Sequence, residues 1–525
     1  MSLRTATRKP RPSGRKSRLL AGGVLAGAGV CAPAAGASAG TADTDTALTI
    51  YSTAQPGGVP AEYYRPLPGQ GVPQAGEIPG YAMVRQDRKV ELKNGRTQLR
   101  FTDVAALIDP TTVQFVSLTD PEDTRVLEQN YQFDLVSTDK LLSKYVDRNV
   151  TVQQALGDHM SETSGTLLSS VDGLVLRGPD GRIHAIRQYS NLRFPELPGG
   201  LITQPTLLWD IAAKKAGAHT ARVAYQTGGM TWWADYNLTF TPGANANAGF
   251  LDVGAWVSII NQSGASYENA KLKLIAGDVQ RAQPPAPRLQ EMAVTAMRAK
   301  AADQGFEEKA FFEYHLYTLG RRTTLPNNST KQVELFEAAK RVPAHKTLVY
   351  YGQAGQYFGG GVVTARDYGN SGNKKVDVYL EFKNEEKAGL GVPLPKGRIR
   401  VSQVDTADQS LEFIGEDVID HTPKNERVLV KLGSAFDVVG ERRQVDFAAN
   451  ETARWMEEEI EVRIRNHKSE PVDVLVKENL FRWTNWTLKT ANHAYDKDDA
   501  HTIFFPLKVA AEGQEVVRYR VRYTW

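Results

Sequence analysis

Hydrophobic and polar residues alternate with a period of two along much of this 525-residue chain. The clearest example is 221–242, ARVAYQTGGMTWWADYNLTFTP, where Val223 and Tyr225 share one face of a first strand and Trp232 and Tyr236 share one face of a second. This period places one face of each strand in a hydrophobic core. The two glycines between the strands adopt positive φ angles easily, so the pattern predicts a tight hairpin turn between them.

Similar short strands, separated by turns rich in Gly, Asn, Asp and Pro, recur at intervals of about 8–12 residues. This rhythm predicts a mainly β fold made of multiple antiparallel β-sandwich-like domains. A chain of this length exceeds what a single core can hold. We therefore divide it into a secretory signal peptide at 1–39, a Gly/Pro-rich N-terminal segment at 40–80, an N-terminal β region at 81–203 with a small inserted β module at about 150–192, a first β-sandwich at 204–345 and a second β-sandwich at 346–525.

Helical patterns are rare in this sequence. The segment 284–305 is rich in Ala, Met and Lys and has weakly marked ends, so it predicts either a short helix or a mobile loop. Ser137 is placed to cap a short helix that runs to Tyr145. Within the small module, Gly-Pro-Asp-Gly at 178–181 predicts a hairpin turn.

The first 39 residues differ in composition from the rest of the chain. Seven Arg and Lys residues and no acidic residue precede the apolar run 19–30, and A-x-A sites follow at 35–39. This order predicts a bacterial secretory signal, because the apolar run is too short to span a membrane. We expect an exported protein of the periplasm or cell envelope, with no integral membrane segment after cleavage.

Two other export signals are disfavoured. Arg15-Lys16 is not the arginine pair that twin-arginine export prefers, so we expect the general secretory route. The sequence also disfavours a lipid anchor at Cys31, because Val30 is larger than the small residue that usually precedes a lipidated cysteine.

The charge balance argues against a nucleic-acid-binding protein. The whole chain has 63 Lys and Arg and 60 Asp and Glu, a net charge of +3, but removing the seven basic residues of the predicted signal leaves 56 against 60, a net charge of −4. Nucleic-acid-binding domains are usually strongly basic. The single cysteine lies in the predicted signal, so neither a disulfide nor thiol chemistry is expected in the mature chain.

Familiar catalytic and cofactor motifs are not convincing here. A G-x-S-x-G pattern occurs at 36–40, but it lies at the predicted cleavage region rather than between a strand and a helix. The Gly-rich run at 359–361 has no Lys-Ser/Thr after it, as phosphate loops require. The sequence contains no H-E-x-x-H motif and no cysteine ligand set. We therefore expect no metal and no cofactor.

Acidic residues and histidines provide candidates for catalysis. Carboxylate and imidazole groups that converge can perform general acid–base chemistry or bind a metal. Glu313 and His315 are two residues apart and would share one face of a strand. The alternative is that each candidate has only a local role in a turn or a surface ion pair. The candidates are Asp235, Asp278, Glu313, His315 and His421.

Aromatic and basic residues provide candidates for binding. Trp232 and Trp233 must point to opposite faces of their strand, so one of them can lie outside the core. Together with Tyr236 and the basic Arg321, Trp233 is a candidate for contacting a glycan or a peptide. The alternative is that the aromatic residues fill the sandwich core.

Six segments, in order along the chain, resemble one protein family. They are TGGMTWWADYNL, YENAKLKLIAGDVQR, FEYHLYTLGRRTTL, FIGEDVIDHTPKNERVLVKLGSAFDVVGER, ENLFRWTNW and VRYRVRYTW. Together they resemble the domain-of-unknown-function 4139 family, which includes mucoidy-inhibitor-A-like proteins. The resemblance covers about 204–525, and 97–152 is similar to a subset of the family. It implies a β-rich architecture and no established reaction. Many relatives also carry a coiled coil, whereas this chain has no heptad pattern.

We expect a non-enzymatic, exported envelope protein that binds a partner or stabilises an assembly. Its partner would be an envelope protein or a glycan. Two alternatives remain open at this point: an envelope hydrolase with an unfamiliar Asp/Glu/His or metal site, and a carbohydrate-binding protein.

Overall fold

The computed structural model describes residues 45–51, 55, 57–65, 78–156, 159–243, 247–277, 279, 306–352, 361–368, 372–405 and 407–525. The predicted signal peptide, the segment 284–305, the Gly-rich run at 359–360 and the candidate Asp278 lie outside these residues. In the described part of the chain, no helix has the length and apolar character needed to cross a membrane.

Strands dominate the described chain. The first ten are β1 (Asp45–Tyr51), β2 (Tyr81–Leu92), β3 (Gly95–Phe101), β4 (Ile108–Ser117), β5 (Thr124–Gln132), β6 (Asn149–Leu156), β7 (His159–Ser169), β8 (Leu174–Arg177), β9 (Ile183–Ile186) and β10 (Asn191–Arg193). The next nine are β11 (Thr206–Ala213), β12 (Gly217–Thr227), β13 (Met230–Pro242), β14 (Ala248–Asn261), β15 (Tyr267–Ala276), β16 (Phe306–Phe311), β17 (Tyr314–Leu319), β18 (Thr323–Leu325) and β19 (Ser329–Tyr351). The last ten are β20 (Lys375–Lys383), β21 (Gly397–Val404), β22 (Leu411–Ile419), β23 (Arg427–Asn450), β24 (Trp455–Asn466), β25 (Val472–Asn479), β26 (Trp486–Ala491), β27 (Asp496–Lys497), β28 (Thr502–Val509) and β29 (Gln514–Thr524).

These strands form four sheets, in which most neighbouring strands are antiparallel. An eight-stranded sheet has the order β16-β17-β15-β1-β2-β12-β4, with β18 also paired to β15. A thirteen-stranded sheet has the order β22-β21-β13-β14-β19-β20-β23-β24-β29-β26, and β25, β28 and β27 join it through β19. The five-stranded sheet β10-β6-β7-β8-β9 and the three-stranded sheet β3-β11-β5 are smaller. The predicted mainly β fold with several sheets is confirmed.

The predicted hairpin at Gly228-Gly229 is wrong. β12 is hydrogen-bonded to β2 and β4 in the eight-stranded sheet, whereas β13 is hydrogen-bonded to β14 and β21 in the thirteen-stranded sheet. The two glycines therefore carry the chain from one sheet to the other. Gly229 has a φ of 71°, and a Cβ there would lie 2.7 Å from the carbonyl oxygen of Gln262. The physical reason for the error is that alternation identifies the buried face of a strand but not its hydrogen-bonding neighbour.

The largest hydrophobic core contains buried residues of both large sheets and of the three-stranded sheet. Val223 and Tyr225 of β12 enter this core from one side, and Trp232 and Tyr236 of β13 from the other. The core also includes residues of β20 to β23, such as Val430. The boundary predicted at 345/346 thus falls inside the single strand β19.

A second core lies further along the chain. It is formed by the end of β19 and by the C-terminal strands, with Leu348, Ile460, Val474, Phe505 and Tyr519 among its buried members. The thirteen-stranded sheet passes continuously from the first core to the second.

The five-stranded sheet has a small core of its own, which includes Leu142 and Leu167. Helix α2 (Thr138–Lys144) packs on this sheet through Leu142. The other α-helix of the described residues, α1 (Ala61–Tyr64), lies earlier in the chain. The Oγ of Ser137 accepts a hydrogen bond from the backbone N–H of Lys140 at 3.3 Å, so the predicted cap is confirmed. The predicted turn at 178–181 joins β8 to β9, and it is also confirmed. Within the described residues, a 3₁₀ turn spans Glu386–Ala388.

Candidate functional site

A row of polar side chains crosses the outer face of the thirteen-stranded sheet. In β13, Trp232 and Tyr236 point into the core, so Trp233 and Asp235 must point to the opposite face. Register then fixes the neighbours of these two residues: Asp235 is aligned with Arg398 of β21, and Trp233 with Ser258 of β14. Ser258 is in turn aligned with Gln332 of β19. Four adjacent strands therefore contribute to one surface.

The segment around α1 covers part of this surface. Val59 and Tyr63 are buried against Ile260, which lies on the same outer face of β14. The ring of Tyr64 lies 5.4 Å from the ring of Trp233, measured between ring centres. Between this segment and the sheet there is a cavity of about 340 Å³, which we call the Trp233 pocket. Its lining includes Tyr64, Arg65, Trp233, Asp235, Gln332 and Arg398.

Asp235 is the hub of the hydrogen bonds in the Trp233 pocket. Its Oδ2 accepts hydrogen bonds from Nε1 of Trp233 at 2.7 Å and from Oγ of Ser258 at 2.8 Å. Its Oδ1 lies 3.4 Å from Nη1 of Arg400. Gln332 extends this network by donating from Nε2 to Oγ of Ser258 at 3.0 Å. Together these contacts fix the Asp235 carboxylate and, through it, the orientation of the Trp233 indole.

The pocket contains more positive than negative charge. Arg400 is shared between Asp235 and Glu416, whose Oε2 lies 3.5 Å from Nε of Arg400. Arg398 and Arg65 form no salt bridge or side-chain hydrogen bond within the described ranges. The guanidinium of Arg398 lies close beneath Gly57, where an added Cβ would be 3.3 Å from Nη2. An anion that entered the pocket would therefore find two guanidinium groups that form no salt bridge with a carboxylate of the described residues.

Tyr236, a predicted binding residue, belongs to the core. It is 1% exposed, and its hydroxyl donates a hydrogen bond of 2.7 Å to the carbonyl oxygen of Pro395. Burial raises the pKa of Tyr236 well above its ordinary value. Its side chain lies on the opposite face of β13 from the pocket, so the prediction that it contacts a ligand is not supported by its position.

Glu313 and His315 do not form the predicted pair on one strand. Glu313 is exposed in the turn between β16 and β17, next to Phe312 with its φ of 57°. His315 lies in β17, and its Nδ1 is 2.7 Å from Oε1 of Glu308 on the neighbouring strand. A hairpin turn separates the two residues from a single strand. The sequence did not reveal this turn, because the segment 311–319 contains no glycine or proline.

The remaining predicted residues are also dispersed. The Nδ1 of His421 accepts a hydrogen bond of 3.2 Å from the backbone N–H of Lys396. Arg321 is exposed in the turn between β17 and β18. Across the described ranges, no group of three or more His, Cys, Asp or Glu side chains is arranged to hold a metal ion. Of the predicted site residues, the structure brings together Trp233 and Asp235.

Sequence reasoning missed the other residues of the Trp233 pocket. Arg398 and Arg400 alternate with Ile399 and Val401, which shows that they lie on the outer face of a strand. What the pattern does not show is that this strand lies next to β13, because the two are about 160 residues apart and pair in parallel.

Sequence reasoning also missed two buried ion pairs in the second core. Arg442 donates from Nε to Oε2 of Glu478 at 2.8 Å, and Arg482 donates from Nε to Oε2 of Glu458 at 2.8 Å. All four side chains are nearly inaccessible to solvent. The sequence does contain a signal for the Arg482–Glu458 pair. In MEEEIEVRI, Glu458 is two residues before Ile460, so it lies on the buried face of β24.

Comparison with known proteins adds no assignment to this geometry. The chain matches no protein-family model, and no curated protein matches it.

Proposed function

We propose that this chain is a non-enzymatic binding protein that takes up a polar ligand in the Trp233 pocket. The observation that carries the proposal is the fixed Trp233–Asp235 pair in a cavity of about 340 Å³. Ligand sites are typically concavities of about 300–1,000 Å³ in which a few fixed polar groups orient the ligand. The Trp233 pocket has this size and this arrangement.

The composition of the pocket favours a saccharide. Trp233 is half-buried, so part of its ring faces the cavity, and its orientation is fixed at Nε1. An aromatic ring provides a flat apolar surface at a low cost in conformational entropy. The side chains of Thr330 and Gln332, which also line the cavity, offer donors and acceptors for hydroxyl groups. A sugar ring combines an apolar face with a hydroxyl rim, which matches this lining.

We also propose that the chain belongs to the domain-of-unknown-function 4139 family, which the six sequence segments support. We further propose that it is exported to the periplasm or cell envelope, which the basic N-terminal segment with its A-x-A sites supports. Cell fractionation with an antibody to a C-terminal tag tests the proposed export. A shortened chain in the periplasmic or envelope fraction is the expected result, and a full-length chain in the cytoplasm would contradict it.

A binding experiment tests the pocket. We expect a glycan array to identify a ligand for the purified mature chain, and Trp233→Leu to weaken its binding by about tenfold through loss of the aromatic surface. Trp256→Leu is the matched control, because Trp256 is 40% exposed on the neighbouring strand and does not line the cavity. Equal effects of both variants would contradict the pocket assignment. If the purified protein hydrolyses the bound glycan and Asp235→Asn abolishes this activity, the hypothesis of a non-enzymatic binding protein is contradicted.

A further inference from the structure

We infer that the ligand of the Trp233 pocket is an acidic saccharide, whose anionic group is bound by Arg398. This inference rests on the proposed function and deepens it by naming the ligand class. Three observations carry it: the charge balance of the cavity, the position of the Arg398 guanidinium and the side chains around it.

The first observation is the charge balance. Three arginines and one aspartate line the cavity. Arg400 is engaged by Asp235 and by Glu416, at 3.4 and 3.5 Å. Within the described ranges, Arg398 and Arg65 have no carboxylate within salt-bridge distance. A guanidinium stays protonated at any physiological pH, so the cavity keeps a positive charge that an anion can neutralise.

The second observation is the position of Arg398. It lies on β21, directly in register with Asp235 on β13, and both side chains lie on the outer face. The turn at Gly57 lies close to the guanidinium: a Cβ added to Gly57 would be 3.3 Å from Nη2 of Arg398. A charge held between a sheet and a covering loop is less hydrated than one on an open surface. A planar guanidinium in such a place can bind a carboxylate or a sulfate through two parallel hydrogen bonds.

The third observation is what surrounds the cation. Trp233 offers a ring surface, and Gln332 and Thr330 offer hydrogen-bonding groups suited to hydroxyls. An inorganic anion would use the arginines alone, whereas an acidic sugar uses all three kinds of group at once. The shared chemistry is an anion carried on a sugar ring, and it can be supplied by a uronic acid carboxylate or by a sulfate ester.

The experiment is isothermal titration of the purified mature chain with pairs of oligosaccharides that differ only in the anionic group. The pairs are oligomers of glucose and glucuronate, galactose and galacturonate, and mannose and mannuronate, and galactose oligomers with a sulfate ester form a second arm. The variants are Arg398→Gln and Arg398→Lys. Arg321→Gln is the matched control, because it removes the same charge from an exposed turn that does not line the cavity.

We expect one acidic oligomer to bind more tightly than its neutral partner, with an affinity that falls as salt is added. Arg398→Gln should weaken that binding roughly 10- to 100-fold, as loss of a charge-assisted hydrogen bond does. Arg398→Lys should restore part of the loss, and Arg321→Gln should leave the affinity unchanged. Binding of the sulfated oligomer instead of the uronates would support the inference and identify sulfate as the anion.

Two results would overturn the inference and can be told apart. If neutral oligomers bind as tightly as acidic ones and Arg398→Gln has no effect, the ligand is not recognised by its charge, but the proposed binding function stands. If no oligomer binds, both the proposed function and this inference fail. Thermal unfolding of each variant shows whether a loss of affinity reflects a loss of folded protein.

Discussion

Nε1 of Trp233 donates a hydrogen bond of 2.7 Å to Oδ2 of Asp235, two residues further along the same strand. Side chains at this spacing lie on the same face of a strand, so the extended backbone of β13 places the two groups side by side. Asp235 is only 6% exposed, and its position is fixed further by Ser258 of β14 and Arg400 of β21. The orientation of the indole is therefore set before any ligand arrives, which lowers the entropic cost of binding.

Removal of Asp235 should destabilise the protein and loosen the pocket. Asp235→Ala leaves the indole N–H and the hydroxyl of Ser258 without their acceptor, and each lost partner of this kind costs about 1–3 kcal/mol. We expect a lower free energy of unfolding in urea and a red-shifted tryptophan emission. Glu416→Ala is the matched control, because it removes the weaker partner of Arg400, a carboxylate that is half exposed. That change should cost no more than about 1 kcal/mol; equal losses in the two variants would argue against Asp235 as the hub.

Arg482 should be among the most costly residues to replace in the second core. Its guanidinium donates to Glu458 and to the backbone carbonyl oxygens of Val363, Ala365, Arg366 and Tyr368, at 2.7 to 3.2 Å. Arg482→Met leaves a buried carboxylate without its cation, which costs about 3–5 kcal/mol. We expect a matching loss of stability and faster hydrogen exchange at 361–368, because this segment is held to the sheet through Arg482.

A double variant separates the two contributions of Arg482. Glu458→Gln combined with Arg482→Met removes the unpaired charge, so it should be less destabilised than Arg482→Met alone. Fast exchange at 361–368 should remain, because the backbone carbonyls still lack their donor. Arg427→Ala serves as a control: its guanidinium is 3.4 Å from Glu381 and largely exposed, so it should cost at most about 1 kcal/mol. A double variant less stable than the single one would contradict a charge-based explanation.

Gly440 should not tolerate a side chain. A Cβ at this position in β23 would overlap the aromatic ring of Tyr350. Overpacking of a core typically costs about 1–3 kcal/mol, so Gly440→Ala should lower the midpoint of thermal unfolding. Gly254→Ala in β14 is the matched control, because its nearest neighbour would be the carbonyl oxygen of Asn237 at 3.7 Å. The control should change stability by less than about 1 kcal/mol, and a result in the opposite order would show that Tyr350 moves aside freely.

The protein should lose stability in alkali. Burial raises the pKa of Tyr225 to about 12, and it raises the pKa values of five other tyrosines well above the ordinary value: Tyr236, Tyr267, Tyr317, Tyr519 and Tyr523. These groups stay neutral in the folded state and ionise near pH 10 in the unfolded chain. Their contribution is therefore complete below about pH 10 and is lost as the pH rises above it, by up to about 1.4 kcal/mol per pH unit for each group.

Urea unfolding at increasing pH, with tyrosinate absorbance recorded in parallel, measures this loss. Tyr225→Phe should make the fall of the unfolding free energy above pH 10 less steep. Tyr189→Phe should leave it unchanged, because the side chain of Tyr189 is 41% exposed rather than buried. If the free energy of unfolding stays constant up to pH 12, or if the two variants have equal effects, the claim that burial raises the tyrosine pKa values is contradicted.

Local features of the fold were predictable wherever the signal lay within a few residues. Ser137 begins α2 because its side chain satisfies a backbone N–H three residues ahead. The turn at 178–181 follows from residues that adopt turn conformations at little cost. The opposite directions of Trp232 and Trp233 follow from the period of a strand. Each of these depends on interactions between near neighbours.

The sequence by itself determined the mainly β fold and placed Trp233 and Asp235 together on one face of a strand, opposite to Trp232 and Tyr236. The tertiary structure decided which strands adjoin them: β21 brings Arg398 beside Asp235, and the segment around Tyr64 closes the pocket. The tertiary structure also placed β12 and β13 in different sheets, so Gly228-Gly229 connects two sheets instead of forming the expected hairpin. The physical reason is that alternation encodes which face of a strand is buried, whereas the choice of partner strand depends on packing among residues far apart in the chain.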